Sequence, residues 1–514
     1  MIARSAGTIG ALTSVSRVLG FVRDLVIAAA FGTGLHAEAF VVSFKIPNLF
    51  RDLVGEGAAN AAFVPVLTEY REKRPAEFWR LVSTLFAFMA AVLAVLSVGG
   101  VLLAPQIVHL IAPGFGAGPA DAKFELAVRL TRVIFPYLFL IGLSALAMGV
   151  LNSMKEFASS AAGPILLNLS MIAAGVFFEE RYGPMALVVG VLAGGVLQLS
   201  FQLPPLVRSG LRLERPQWRH PAARQIGTLL IPRALGSAVY QINVFVDTVL
   251  ASFERIVGPG GQSALYYSNR LFQLPLAVFG VSLAQALLPA FSAQWVRLEK
   301  EKFNETFGFA TRALTVAVLP ASVGLVALSR PIVRIIFERG EFNAYSTAIT
   351  SSALFFYAFG LLFCCLVKVF ANAFYAMQDT RTPVKAMAIA VTVNVALSLA
   401  LMRPLQIGGL ALASTLSAGL NLLLLYRALK KKIGPLDERR WFSTLGRALT
   451  AAVLMGLAAK VYEYFLLTPL AGSGAAEIIA LLGGIALCML LYFFLAVVLR
   501  VEEAKKLLDW LVSR

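Results

Sequence analysis

The chain has 514 residues, of which 59% are hydrophobic and 14% charged, and its mean hydropathy is +0.78. A soluble globular domain carries about a quarter charged residues, so this balance excludes one and points to an integral membrane protein. The net charge of +17, from 45 Lys and Arg against 28 Asp and Glu, needs no nucleic acid to explain it if the basic residues crowd the loops on one side of a bilayer.

Apolar windows of about 20 residues, separated by short polar breaks, predict an all-α polytopic protein with about fourteen transmembrane helices. In chain order they fall near residues 7–32, 37–70, 78–103, 124–151, 161–178, 185–207, 222–253, 263–294, 303–328, 346–377, 384–402, 407–429, 443–466 and 475–500. The start shows no basic segment followed by a small-residue cleavage site, so the first helix is expected to be retained rather than removed as a signal peptide. The second and seventh are long for one straight crossing, and Pro47, Gly55 and Gly57 predict a bend in the second.

Between Ser16 and Tyr70 the apolar background is broken by Arg17, Arg23, Asp24, Glu38, Lys45, Arg51 and Glu56. Charges at that depth cost from about 2.5 kcal/mol each upward, so they normally face a bundle interior or a water-filled cavity and mark a substrate path. Arg17 and Asp24, one heptad apart, are expected on one face with Ser14 and Phe21, and Arg23 on a neighbouring face.

Loop charge predicts the orientation. With a cytoplasmic N-terminus the basic runs at Arg71, Val207, Arg427 and Asp437 all fall on the cytoplasmic side, as does the C-terminus. The pairs Pro65 and Pro289, Pro105 and Pro331, and Met154 and Met377 recur at a spacing of about 224 residues, the signature of an internal repeat. Six helices separate equivalent positions, so the halves share one orientation and are expected to be related by a pseudo-two-fold axis along the membrane normal. The expected organisation is an N-terminal lobe at 1–207, a cytoplasmic linker at 208–221, a C-terminal lobe at 222–430, two further helices within 431–500 and a cytoplasmic interfacial tail at 501–514.

Cys364, Cys365 and Cys488 sit in apolar segments without CxxC spacing and are expected to pack rather than to form disulfides or hold a metal. His36, His109 and His220 fall in loops or at helix ends and are expected to be solvated. Lys460 and Glu463, three apart, are expected to pair. Asp247 and Asp379 are candidates for a cation site, although Asp379 stands at a helix end where capping also accounts for it.

The runs SRVLGFVRD, HAEAF, FKIPNLFRDLVGEGA, YSNRLFQLP, RPIVRIIFERGEF and FYAMQDTRTPVK, in that order along nearly the whole chain, closely resemble the lipid II flippases of the MurJ/MviN family. The resemblance implies the fold of the multidrug/oligosaccharidyl-lipid/polysaccharide exporters, with a cavity between two lobes and a groove for a lipid tail at the two C-terminal helices. It implies that Arg17, Arg23, Arg51 and Arg270 converge as a diphosphate site, a role that suits the planar, permanently charged guanidinium fork. Asp24, Glu38 and Glu56 are then gating residues or charge partners; Glu38 stands where the family pattern has an aspartate.

The implied function is to move lipid II, the undecaprenyl-diphosphate-linked peptidoglycan precursor, across the bacterial cytoplasmic membrane by alternating access for cell-wall synthesis. The implied partners are lipid II and membrane lipids, and the sequence does not identify cell-wall or division proteins. No cofactor is expected, and Na+ and the membrane potential both stand open as the coupling energy. A flippase for another polyprenyl-diphosphate oligosaccharide is an alternative. A multidrug exporter would draw on intramembrane acids for its cationic substrates. A membrane transferase would need clustered aspartates for magnesium, and the chain has no such cluster in its sequence.

Overall fold

The computed structural model describes residues 2–51, 58–116, 121–218 and 220–505. All regular structure among them is helical, as expected. The chain divides into two compact units, Met1–Glu254 with Arg339–Phe342, and Arg255–Glu338 with Asn343–Arg514.

The first unit contains α1 (Ile2–Phe31), α2 (Leu35–Arg51), α3 (Ala58–Lys73), α4 (Pro75–Leu102), α5 (Ala104–Ile111), α6 (Ala122–Ile134), α7 (Tyr137–Ser153), α8 (Ala158–Phe177), α9 (Glu179–Tyr182), α10 (Pro184–Arg208) and α11 (Pro221–Ala251). The short α12 (Glu254–Val257) leads into the second, which contains α13 (Gly261–Pro275), α14 (Ser282–Val296), α15 (Lys300–Phe337), α16 (Ala344–Phe359), α17 (Leu361–Ala376), α18 (Arg381–Leu405), α19 (Ile407–Ile433), α20 (Glu438–Tyr462) and α21 (Ala475–Val498). α11 is compact with the first unit, whereas the C-terminal lobe was expected to begin at residue 222.

Local chemistry sets many of the ends. Pro75 and Pro184 open α4 and α10, where a missing N–H costs nothing. Asp121 caps α6 by accepting from the Lys123 amide at 2.9 Å, and Asn343 caps α16 by accepting from the Ser346 amide at 3.0 Å. Packing follows from small residues. Gly190 and Gly194 of α10 face α8 so closely that a Cβ there would stand 2.7 Å from the Ala174 side chain and 2.8 Å from Leu167. The first unit's core joins Phe31, Phe40, Val108, Leu130, Tyr137 and Met171; in the second, Phe291, Phe303, Phe307 and Phe370 meet at ring distances of 4.9 to 6.1 Å.

Outward surfaces are apolar, the reverse of a soluble protein: Val95 and Leu102 on α4 are 72% and 71% exposed. Among the described residues nine helices are long and apolar enough to span a membrane, or ten if α16 and α17, which meet at 45°, count as one span. The fourteen expected segments fall on helices where described, the fourth broken between α6 and α7 and the tenth at Gly360, but α2 and α3 are each short and the apolar stretches in α8 and α11 cover only Ala161–Phe177 and Gln241–Ala251. Fourteen crossings therefore stay an expectation. Gly55, Glu56 and Gly57 lie outside the described residues, as do 506–514 of the expected interfacial tail, while Lys460 and Glu463 pair at 2.7 Å. His220 departs from expectation: it is 4% exposed, its Nδ1 caps α11 by accepting from the Ala222 amide, and its ring lies 5.4 Å from that of Tyr70. Burial pushes its imidazole below 6.5, against a pull upward from Glu77.

Candidate functional site

Arg23 and Asp24 are neighbours in α1, about 100° apart around the helix, yet the long Arg23 side chain folds back onto the carboxylate. Its Nη2 and Nε donate to Asp24 Oδ1 at 2.7 and 3.0 Å. Nη1 donates to Asn168 Oδ1 of α8 at 3.0 Å, and Asn168 Nδ2 donates to the Ser16 carbonyl at 3.0 Å. At 5% and 1% exposure the pair is buried, and α1 is held to α8 through it. Asp24, expected on one face with Arg17, pairs with Arg23 from the neighbouring face, and α8 supplies the amide that completes that geometry. Arg17 stands on the exposed side of α1. One helix therefore carries a buried, paired arginine and an outward-facing one.

Glu38, in the first turn of α2, is fully buried and pairs with Lys123, whose ammonium also pairs with Glu254 and lies 5.0 Å from the centre of the Phe115 ring. Of the two roles left open for Glu38, the charge partner is the one this geometry displays. Lys123 was not among the candidates from sequence. It stands one residue before the fourth expected helix, in what reads as a loop, and its partners are 85 and 131 positions away. Asn168 was also missed; a polar residue in the middle of an apolar α8 is the signal that could have found it.

Arg51 ends α2, with its side chain outside the described residues, as Glu56 is altogether. Arg270 belongs to the second unit, half-buried on α13, where Nη2 donates to the Tyr266 hydroxyl at 3.2 Å and the guanidinium lies 5.0 Å from that ring's centre. Asp247, on α11 in the first unit, accepts from Asn243 at 3.4 Å. Asp379 lies in the turn between α17 and α18 of the second unit, accepts from the Thr382 amide and hydroxyl at 3.0 and 2.8 Å, and pairs with Lys432 at 2.9 Å. Burial opposes the charge on Asp379, but the Lys432 hydrogen bond and the two from Thr382 outweigh it and hold the carboxyl at about 2. Capping and an ion pair to the last turn of α19 account for its geometry. Among the described residues no three His, Cys, Asp or Glu side chains are grouped to hold a metal ion, and the three cysteines are free thiols.

Comparison with known proteins identifies the family. The family model described as lipid II flippase MurJ matches residues 27–473. The chain is 36% identical over 503 residues to the probable lipid II flippase MurJ of Vibrio cholerae, covering 93% of this chain and 95% of that one. It is 36% identical over 476 residues to the lipid II flippase MurJ of Burkholderia cenocepacia, covering 90% and 91%. A solved lipid II flippase MurJ in an inward closed conformation superposes with a TM-score of 0.79 at 25% identity, over 95% of this chain and 98% of that chain. An inward-facing multidrug transporter of the MATE family gives 0.69 at 14% identity over 82% and 96%, a likeness of fold alone. With a family model spanning most of the chain and relatives of this identity matched almost end to end, the chain belongs to the lipid II flippase MurJ family of multi-pass membrane proteins.

Proposed function

We propose that this protein moves lipid II between leaflets of the bacterial cytoplasmic membrane by alternating access, acting as a transporter and not as an enzyme. The observation that carries the reading at residue level is the division of labour on α1: Arg23 is committed to Asp24 and Asn168, while Arg17, less than two turns away, is exposed and available to a diphosphate. Arg51 and Arg270 complete the proposed phosphate-binding set, with Arg270 pre-ordered by Tyr266. In this reading the six-helix repeats are the two lobes, 431–500 holds the lipid tail, both termini are cytoplasmic, and cell-wall enzymes supply and consume the substrate.

The test is complementation of a strain depleted of its own flippase, with lipid II exposure at the outer leaflet as readout. Each charge-assisted contact is worth roughly 1.5–3 kcal/mol, so R17A and R270A should each slow flipping by about tenfold or more. R17A should do so at unchanged thermal stability, whereas R23A should lose stability as well. Normal flipping by both R17A and R270A overturns the assignment.

The coupling energy follows from charge. Outward movement of a diphosphate is favoured by an inside-negative potential by about 2.3 kcal/mol per elementary charge per 100 mV, if the charge crosses the whole field. Collapsing the potential with an ionophore while the proton gradient is kept should therefore stall flipping. A rate indifferent to voltage but following sodium would move the coupling to a cation site, with Asp247 and Asp379 the residues to substitute.

A further inference from the structure

The helix α6 has two dissimilar faces. Lys123, Ala127, Leu130, Thr131 and Ile134 are buried within the first unit, while Glu125, Arg129 and Arg132, spaced i, i+4 and i+7, are exposed. These three line a cleft beside α5 whose other walls are Pro105, Phe124, Val128 and Val133. Around it the surface is apolar: Leu102, Leu103 and Leu110 are 71%, 53% and 65% exposed. Neither Arg129 nor Arg132 has a hydrogen bond or ion pair among the described residues.

Depth identifies what such a cleft meets. The span Ala122–Ser153 has 32 residues, about 48 Å of helix, against a hydrocarbon core of about 30 Å, so about 9 Å projects at each end. Arg129 and Arg132 start about 10 and 15 Å from the beginning of α6, at and just below that boundary. Side chains there reach up to lipid phosphates. The fold does not require these charges: about 224 residues on, the repeat places the equivalent positions in α16, AYSTAITSSALFFYAF, which has no charged residue at all.

We propose that Arg129 and Arg132 form a binding site for the phosphodiester of an anionic phospholipid in the leaflet where α6 begins. Two guanidinium forks grip the phosphate oxygens, the apolar walls take the first methylenes of the acyl chains, and with Glu125 counted the cleft keeps a net charge of +1, which favours a monoanionic headgroup over one whose own cation it repels. The site is distinct from the proposed substrate arginines and stands whether or not the flipping reading does.

The test uses the full chain, purified and delipidated in detergent, with native mass spectrometry after addition of phosphatidylglycerol, phosphatidylethanolamine and phosphatidylcholine in equal amounts. The wild type should retain phosphatidylglycerol about tenfold over phosphatidylcholine, and R129Q/R132Q should bring that ratio to parity at an unchanged melting temperature, while R403Q on α18 leaves it intact. R129K/R132K, which keeps charge and loses the fork, should retain an intermediate preference and serves if the glutamine variant does not fold. E125Q should sharpen the preference. The proposal is overturned if the wild type does not distinguish the three lipids, if R129Q/R132Q still does, or if soluble glycerol phosphate competes as well as the lipid.

Discussion

Replacing Lys123 with Met should cost this protein about 3–5 kcal/mol of stability, the range for halving a buried ion pair. The reason lies in what is left behind. Glu38 is fully buried and Lys123 is 8% exposed, while Glu254 keeps about a third of its side chain in contact with solvent. Without the ammonium two carboxylates confront each other across the N-terminus of α6, and the buried one loses this pairing at a position closed to water. The methionine itself fits a site already flanked by the Phe115 ring. The second substitution E38Q should therefore restore most of the loss, because it removes the buried charge and leaves Glu254 to be solvated. A double-mutant cycle on Lys123 and Glu38, followed by thermal unfolding in detergent, measures this coupling directly. Equal melting temperatures for K123M and the wild type would mean that the pair contributes nothing.

The helical fold was legible because each apolar window reports only its own burial, and burial of backbone polar groups in lipid demands a helix. The charges of SRVLGFVRD were legible for the same reason, since any ion among apolar neighbours stands out. Their partners were not. Helical periodicity put Asp24 on one face with Arg17 and left its partner open; the pairing with Arg23 is completed by Asn168, brought to α1 by the packing of α8, and no local pattern carries that contact. Lys123 was invisible from the other side: with the fourth helix expected to start at Phe124, a lysine one residue earlier reads as solvated, whereas the helix begins at Ala122 and carries it inward between two acids. Asp379 was legible in both its readings, because a carboxylate before the first turn of α18 caps whatever else it does; the Lys432 partner comes from the end of α19. Glu56 and the glycines beside it lie outside the described residues, so the bend expected there stays an expectation.

Substituting Gly32 with Ala should be as damaging as losing an ion pair, although no charge is involved. Gly32 follows the last residue of α1 with φ at +57°, and Gly340 has φ at +57° in the short segment Arg339–Phe342 that packs with the first unit. The Glu341 amide donates to the Ala29 carbonyl at 2.8 Å, satisfying one of the acceptors that a helix C-terminus leaves open. A Cβ on Gly32 would stand 2.3 Å from the Glu341 carbonyl oxygen, and one on Gly340 would stand 2.2 Å from the Ala29 carbonyl oxygen. Both obstacles are backbone, so neither can rotate away. The left-handed conformation alone costs an alanine about 1 kcal/mol. Forcing the segments apart adds the loss of the amide hydrogen bond, about 1–3 kcal/mol with a buried acceptor left unpaired. G32A and G340A should each lose about 3 kcal/mol, and G32A/G340A little more than either, since both break the same contact. Two controls separate the contributions. Gly210, after the end of α10, has φ at +87° with nothing within 4 Å of its would-be Cβ, so G210A should show the conformational cost alone; Gly34 would place its Cβ at an ordinary 3.6 Å from the Phe31 carbonyl, so G34A should be close to neutral. Melting temperatures of the five variants in one detergent decide it: if G32A/G340A loses the full sum of its parts, or if G32A falls no further than G210A, the close contact between α1 and Arg339–Phe342 is not what these glycines serve.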